Sequence, residues 1–363
     1  MALAALVKLG VGVLLAIGKR RASGSGSEQP ELKRQQLCEG TVATIKATAT
    51  AEDAALPPPP PAVTNMEDSW RAKVTVTLEQ QADCGKLAAV YDDMRDAFKH
   101  DGLNVAAIRA TLQFYSDASE PHPEPLMYAH FPTPLQPGVV RLAVLQPPVT
   151  VRAAAHEAAD AVAKALVPAG IQPHLTAIDS HHITLFMTSQ PGDPRPDAFN
   201  AAGGGLDLKA ISGSIPAPAP DVLARERAAV RQLAAATPAP DMEVHSLVFA
   251  SSGALLLCCV DRSGQLAGLR QRMRSTFPGA SAKQSTIFHI TLLRVLSPQQ
   301  LAPAQVAAVQ VAVDAAAGPL VGLRFTPRHM LYVLERQYTT VEGTREECPF
   351  AQPAAGAEQG TAC

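Results

Sequence analysis

The sequence predicts an α+β fold built from a duplicated unit of strand, helix, turn and strand. The tetrapeptide His-Ile-Thr-Leu occurs twice, at His182–Leu185 and His289–Leu292, in a chain with only 10 His. By composition alone, a second copy has odds of about one in a thousand. Each copy also follows an apolar run and an amphipathic helix that ends near Pro and Gly. The repeat therefore indicates two related halves.

The first half begins at Val139–Pro148, a short apolar run with β-branched residues that predicts a strand. The next stretch, Val151–Gly170, has helical periodicity and ends at Pro-Ala-Gly. The first tetrapeptide follows after a turn. The shorter match His174–Thr176 lies too close to Gly170 for the same register, so we expect a loop or structural role for His174.

The second half repeats this order. Glu243–Asp261 predicts two strands joined by a Ser-Ser-Gly turn, and Gly264–Ala280 predicts a helix that ends at Pro-Gly. The second tetrapeptide comes next. Each tetrapeptide is then followed by another predicted helix and another pair of strands.

Composition divides the rest of the chain. The boundaries that we predict are an apolar N-terminal segment at 1–21, a Pro/Gly/Ser-rich linker at 22–66, a mixed extension at 67–135, the duplicated domain at 139–342 and a flexible tail at 343–363. Within the domain, the first half spans about 139–190 and the second about 221–342. The Pro/Gly-rich stretch of about 191–220 between them is expected to be a mobile insertion.

The N-terminal segment is apolar over residues 2–18 apart from Lys8, and Lys19–Arg21 follow it. Its length is at the lower edge for a transmembrane helix. A membrane anchor with the main domain in the cytoplasm fits this pattern. A cleaved organelle-targeting or signal peptide and a soluble amphipathic helix also fit it.

The formal net charge of −2 gives no global attraction to nucleic acid or to acidic membranes, so any anion site has to be local. The chain is 47% hydrophobic and has 31 Pro and 24 Gly, which indicates a globular core with spacer segments. The six Cys match no zinc-site spacing, and we expect buried thiols in a reducing compartment.

Residues i and i+2 of a strand share a face, so His182 lies beside Thr184 and His289 beside Thr291. Two such strands brought together present two imidazoles and two hydroxyls. One neutral His can accept a proton while a protonated His donates one, which is the chemistry of metal-free phosphodiester cleavage. The threonine hydroxyls can donate to the charged phosphate oxygens.

Two other interpretations of the repeat stay open. A metal centre is one, but the motifs lack the carboxylate partners of a two-metal phosphatase, so we expect neither metal nor cofactor. The other is that both tetrapeptides are amphipathic strands with His on a solvent face.

The motifs resemble the 2H phosphoesterase superfamily, which contains RNA 2′,3′-cyclic phosphodiesterases and bacterial 2′-5′ RNA ligase-like proteins. The similarity covers about residues 139–340 and rests on the stretch Val139–Leu166 followed by HHITLFM, and on FHITLLRVL. It implies a bilobal fold with two antiparallel sheets, flanking helices and a pseudo-two-fold axis around a central cleft.

The resemblance also implies a hydrolase that needs no metal. His182 and His289 would be its acid/base pair, and Thr184 and Thr291 would hold the phosphate. A basic residue often follows the second motif, and here it is Arg294. Its odd offset from His289 turns it away from the site face unless a bulge or the strand end intervenes.

Two aromatic residues are further candidates for substrate contacts. Phe186 shares parity with His182 and either stacks on a base or lies in the core. Tyr332 is a weaker stacking candidate. The expected partner is a nucleotide or RNA terminus with a cyclic or 2′ phosphate, bound by a monomer. A non-catalytic RNA-end-binding protein and a membrane-tethered structural module are alternatives, and the sequence does not tell which His is the base or whether the reaction is hydrolysis or ligation.

Overall fold

The computed structural model describes residues 77, 81–116, 123–171, 173–201 and 213–351. The predicted N-terminal segment and linker, residues 1–66, lie outside these ranges. No helix within the ranges is long and apolar enough to cross a membrane. For the described chain, the prediction of a transmembrane protein is therefore wrong.

The described residues form six α-helices and nine β-strands. The helices are α1 (Cys84–Asp101), α2 (Val105–Leu112), α3 (Val149–Leu166), α4 (Pro220–Ala235), α5 (Gln265–Thr276) and α6 (Pro303–Ala317). The strands are β1 (Val140–Leu145), β2 (Pro173–Leu175), β3 (Ile183–Ser189), β4 (Met242–Phe249), β5 (Ala254–Asp261), β6 (Phe288–Val295), β7 (Arg324–Phe325), β8 (His329–Glu335) and β9 (Gly343–Pro349).

The strands assemble into two antiparallel sheets, which confirms the α+β class. One sheet has four strands in the order β3-β1-β8-β9, and the other has five in the order β2-β6-β5-β4-β7. The first tetrapeptide therefore lies in one sheet and the second in the other. Chain order is not sheet order, because β1 pairs with β8 from the far end of the sequence.

Helices pack against both sheets. In the five-stranded sheet, α3 packs on β6, α6 on β4, and α1 on β4 and β5. In the four-stranded sheet, α4 lies against β8 and β9 and α5 against β3. The buried stripe of α3 is rich in alanine, including Ala155 and Ala159, and small side chains let α6 approach closely.

The extension before β1 is part of this packing. Tyr91 on α1 is buried, and its hydroxyl donates to the carbonyl oxygen of Cys259 (2.7 Å) and accepts from the N–H of Phe288 (3.3 Å). Both partners are backbone groups of the five-stranded sheet, so this tyrosine ties α1 to β5 and β6.

Two expectations of mobile chain are corrected. The sequence predicts residues 343–349 as part of a tail, but they pair with β8 along its whole length as β9. Their polar side chains are typical of an edge strand. The sequence of this segment alone does not reveal that it pairs with β8. In the predicted insertion, Ile215 is buried and forms a bridge with Leu135, and the Ser281 hydroxyl donates to the Asp193 carbonyl (2.7 Å).

A carboxylic acid is buried at the end of β8. Glu335 accepts hydrogen bonds from the Tyr128 hydroxyl and from the N–H of Val341 (2.9 Å). Burial raises the pKa of Glu335 to about 7, although these donors oppose the rise. The turn that follows holds Thr339 and Val341 at φ values of 56° and 52°, which are unfavourable for residues with a side chain.

We expect this acid to make stability depend on pH. The folded chain binds the proton of Glu335 more tightly than the unfolded chain, whose pKa is near 4.5. The contribution of Glu335 to the free energy of unfolding is therefore present at low pH and is lost as the pH rises through about 7. Glu335→Gln, which is neutral at every pH, should flatten the fall of the melting temperature between about pH 5 and 8. Calorimetric melts test this, with Glu342→Gln in the same turn as control, and equal slopes in all three proteins would contradict it.

Candidate functional site

The second tetrapeptide contains a β-bulge at its leucine. On β5, Leu256 lies opposite Thr291 and the adjacent Leu255 lies opposite Leu293, so Leu292 is an extra residue between them. A bulge shifts the alternation of the strand by one position.

The bulge returns Arg294 to the face of the motif. His289, Thr291 and Arg294 are half-buried, whereas Phe288 and Ile290 between and before them are fully buried. An ideal strand would turn Arg294 into the core. The bulge is one of the two conditions, with the strand end, under which the sequence predicts that Arg294 lies beside the motif.

The first tetrapeptide has the same irregularity at the same letter. Thr184 and Phe186 lie opposite adjacent residues of β1, which leaves Leu185 as the extra residue. The shift places Phe186 in the core, where it is 2% exposed and lies 6.1 Å from the ring of Phe277. Met187, not Phe186, then takes the face of Thr184. The expectation that Phe186 shares a face with the motif is corrected by this bulge.

Tyr332 also lies in the core, at 1% exposed. Its hydroxyl donates to Glu226 on α4 (2.6 Å), and Glu226 forms a fully buried ion pair with Arg141 (3.0 Å). Thr188 donates to the same carboxylate. Tyr332 thus belongs to a structural network between the sheet and α4, and this position does not favour the substrate contact that the sequence suggested.

The two motif strands meet at one buried side chain, Arg270 of α5, which is 4% exposed. One terminal nitrogen, Nη2, donates both to the carbonyl of Thr184 on β3 (2.9 Å) and to that of Ile287 just before β6 (3.3 Å). Its Nε donates to the carbonyl of Leu185 (3.0 Å). The guanidinium also lies 4.2 Å from the ring centre of Phe288. A single nitrogen of Arg270 therefore links the beginning of β3 to the residue just before β6.

His182 immediately precedes β3 and is oriented by the backbone. Its Nδ1 lies 2.7 Å from the carbonyl oxygen of Ser180, and because a carbonyl only accepts, Nδ1 carries the proton. In the neutral ring, Nε2 then holds a lone pair. Burial lowers the pKa of His182, the bond to Ser180 opposes this, and the positive charge of Arg345 lowers it further. His182 is therefore neutral at neutral pH.

Arg345 is a candidate that sequence reasoning missed, because β9 was assigned to the tail. It lies opposite Val333, which lies opposite Leu142, on the face that also carries Val144 and Thr184. Its Nε donates to the carbonyl of Val341 (2.7 Å). Recognising it requires the pairing of β9 with β8, which the sequence does not reveal.

Aromatic rings pack between β2 of the five-stranded sheet and the turn that follows β8 of the four-stranded sheet. His174 lies opposite Arg294 on β2, and its ring contacts Tyr115 edge-on at 5.3 Å. Tyr115 also contacts Tyr338 in the turn between β8 and β9 (6.1 Å), and Tyr338 stacks on Phe114 (4.5 Å). Burial lowers the pKa of His174. The structural role expected for His174 agrees with this packing.

Within the described ranges, no group of three or more His, Cys, Asp or Glu side chains is placed to hold a metal ion. The polar side chains of the two motifs, with Arg294 and Arg345, are imidazoles, hydroxyls and guanidinium groups, which bind anions or transfer protons.

No family model matches the chain, and no curated protein matches it. The solved structure of TT0787 of Thermus thermophilus is 16% identical, covers 53% of this chain and 87% of its own, and has a TM-score of 0.34. The conserved protein of unknown function ATU0111 from Agrobacterium tumefaciens str. C58 is 15% identical, covers 66% and 97%, and has a TM-score of 0.37. At these values neither similarity supports a conclusion about this chain.

Arg270 should be a major contributor to stability. Replacing it by Met leaves the carbonyls of Thr184, Leu185 and Ile287 without this donor, which should lower the free energy of unfolding by on the order of 3 kcal/mol. Urea denaturation measures the change. Gln271→Met, at an exposed position next to Arg270 on the same helix, is the control and should cost less than about 1 kcal/mol. Equal losses in the two variants would show that Arg270 does not join the strands.

Proposed function

We propose that this protein is a metal-independent phosphodiesterase of the 2H phosphoesterase type. Its substrate would be the 2′,3′-cyclic or 2′-linked phosphodiester of a nucleotide or RNA terminus. The observation that carries the proposal is the meeting of the two motif strands at Arg270, because it brings His182 and His289 to neighbouring strand ends.

The matched bulges support a duplicated architecture for the site. Leu185 and Leu292 occupy the same letter of the tetrapeptide, and each is the extra residue of its strand. In the proposed arrangement, a pseudo-two-fold axis passes between β3 and β6, and the motif faces of the two sheets line a central cleft. A phosphate in this cleft would contact both imidazoles.

The proposed reaction begins with His182 as the base, since its lowered pKa keeps it neutral and its Nε2 has a lone pair. A water oxygen forms a bond to phosphorus while its proton passes to Nε2. The bond from phosphorus to the leaving ribose oxygen breaks, and that oxygen takes a proton from protonated His289. Thr184 and Thr291 would donate to the non-bridging oxygens as negative charge develops.

Two cations would complete the phosphate site. Arg294 lies on the face of His289 and Thr291 because of the bulge at Leu292. Arg345 lies on the face of Thr184 in the other sheet. With one guanidinium on each motif face, a chain of net charge −2 acquires local affinity for an anion.

The direct test is turnover by the full-length chain on a panel of 2′,3′-cyclic nucleotides and 2′-5′-linked oligonucleotides in EDTA. We expect His182→Ala and His289→Ala each to lose about 10²–10⁴ in rate, the usual contribution of a proton-transfer group. His174→Ala is the matched control, since it removes the third His-x-Thr histidine, and it should retain most of the activity.

The outcomes separate the alternatives. Substrate binding without turnover would contradict the proposed enzyme and favour a non-catalytic RNA-end-binding protein. Loss of activity in EDTA would require a metal, and equal losses in all three variants would remove the special role of the two tetrapeptides.

The pH dependence tests the assignment of the base. Because the pKa of His182 is lowered, kcat/KM should fall on acidification with a midpoint below 6.5, the ordinary histidine value. Arg345→Gln removes a charge that lowers this pKa, so the acid limb should move to higher pH. Arg328→Gln, an exposed arginine before β8, should leave it in place. An acid limb that does not respond to Arg345 would argue against His182 as the base.

A further inference from the structure

A short helical turn leads into the first motif, and one arginine holds it from outside. The turn, Ile178–Ser180, lies between β2 and His182. Arg152 in the first turns of α3 donates from Nη1 to the carbonyl of Ile178 (3.1 Å) and to the side chain of Asp179 (2.9 Å). Its Nε donates to the carbonyl of Pro147 (3.1 Å). The guanidinium thus joins the turn to the segment between β1 and α3.

Two further side chains fix the same turn. The amide of Gln146 donates to the carbonyl of Asp179 (3.0 Å). The ring of His181, which is fully buried, donates from Nε2 to the carbonyl of Thr176 (3.2 Å). The turn is therefore held at Ile178 and Asp179 by side chains from outside it, and the bond from His181 to Thr176 joins the residues on either side of it.

The turn ends at Ser180, whose carbonyl selects the tautomer of His182. A neutral imidazole has one N–H, and the hydrogen bond at one nitrogen decides which nitrogen keeps the lone pair. With Nδ1–H donating to Ser180, the lone pair is on Nε2. If the Ser180 carbonyl were displaced, this hydrogen bond would be lost, and part of the His182 population would carry its proton on Nε2.

We propose that Arg152 is a positioning residue, which sets the Nδ1–H tautomer of His182 by holding the turn that carries the Ser180 carbonyl. The catalytic consequence rests on the proposed function, whereas the tautomer itself does not. Arg152 acts through the backbone of the turn, and its planar group with donors in fixed directions suits two carbonyls at once.

The ion pair between Arg152 and Asp179 contributes little to holding the turn. The Asp179 side chain is 90% exposed, so its charge interaction with Arg152 is weakened by solvent. The contacts to Ile178 and Pro147 are to backbone carbonyls and directly limit the position of the turn. Asp179→Ala therefore removes the ion pair and keeps the contacts that matter, which makes it the matched control.

The experiment measures the ring nitrogens of His182 by ¹⁵N NMR in the full-length chain, at a pH where the ring is neutral. The wild type and Asp179→Ala should show a protonated Nδ1 and an unprotonated Nε2. Arg152→Ala should show a mixture of the two tautomers. In turnover assays Arg152→Ala should lose on the order of 10² in kcat with little change in KM, while Asp179→Ala stays near wild type.

Two more variants keep the test decisive if Arg152→Ala fails to fold, as judged by its melting curve. Arg152→Lys keeps the charge but not the fork of donors, and Gln146→Ala removes only the contact to the Asp179 carbonyl. Both should shift the tautomer in the same direction by a smaller amount. An unchanged tautomer in a folded Arg152 variant overturns the inference. A shifted tautomer in a chain without phosphodiesterase activity supports the inference and contradicts the proposed function instead.

Discussion

The fold depends on how Arg270 satisfies the backbone where β3 meets β6. Three carbonyl oxygens from these two segments accept hydrogen bonds from a guanidinium that is almost fully removed from water. A buried acceptor without a donor costs about 1–3 kcal/mol, so the loss of this one side chain should strongly destabilise the junction of the two sheets. Arginine is the residue that can do this, since its donors point in several fixed directions within one plane.

The bulge in the first motif makes this arrangement possible. Successive carbonyls of a regular strand point in opposite directions, yet those of Thr184 and Leu185 both reach Arg270. The extra residue turns them to the same side. The bulge therefore has two effects, since it joins β3 to the neighbouring sheet and places Phe186 in the core.

Much of the secondary structure was predictable, because local periodicity carries it. The helix α3, the hairpin of β4 and β5, the helix α5 and both motif strands lie where amphipathic patterns and turn residues place them. The sequence also predicted that His289 and Thr291 share a face, and both are half-buried on either side of the fully buried Ile290. Short-range patterns of this kind need no knowledge of the partner strand.

The failures have one physical cause, which is pairing between distant segments. A bulge is defined by the strand opposite, so neither the burial of Phe186 nor the turn of Arg294 toward the motif face can be read with certainty from its own strand. The strand β9 has polar side chains and exists because β8 lies beside it. Tyr332 is drawn into the core by Glu226, which is remote in sequence.

The bulge at Leu292 has a consequence for how this protein can change over time. Removing Leu292 would restore regular alternation and leave Arg294 on the face of His289 and Thr291, because the residues after the bulge keep their partners on β5. Adding one residue to β5 between Leu255 and Leu256 would also remove the bulge, but strict alternation would then turn Arg294 to the opposite face. A buried unpaired charge is strongly unfavourable there, so this pair of strands tolerates a shorter β6 better than a longer β5.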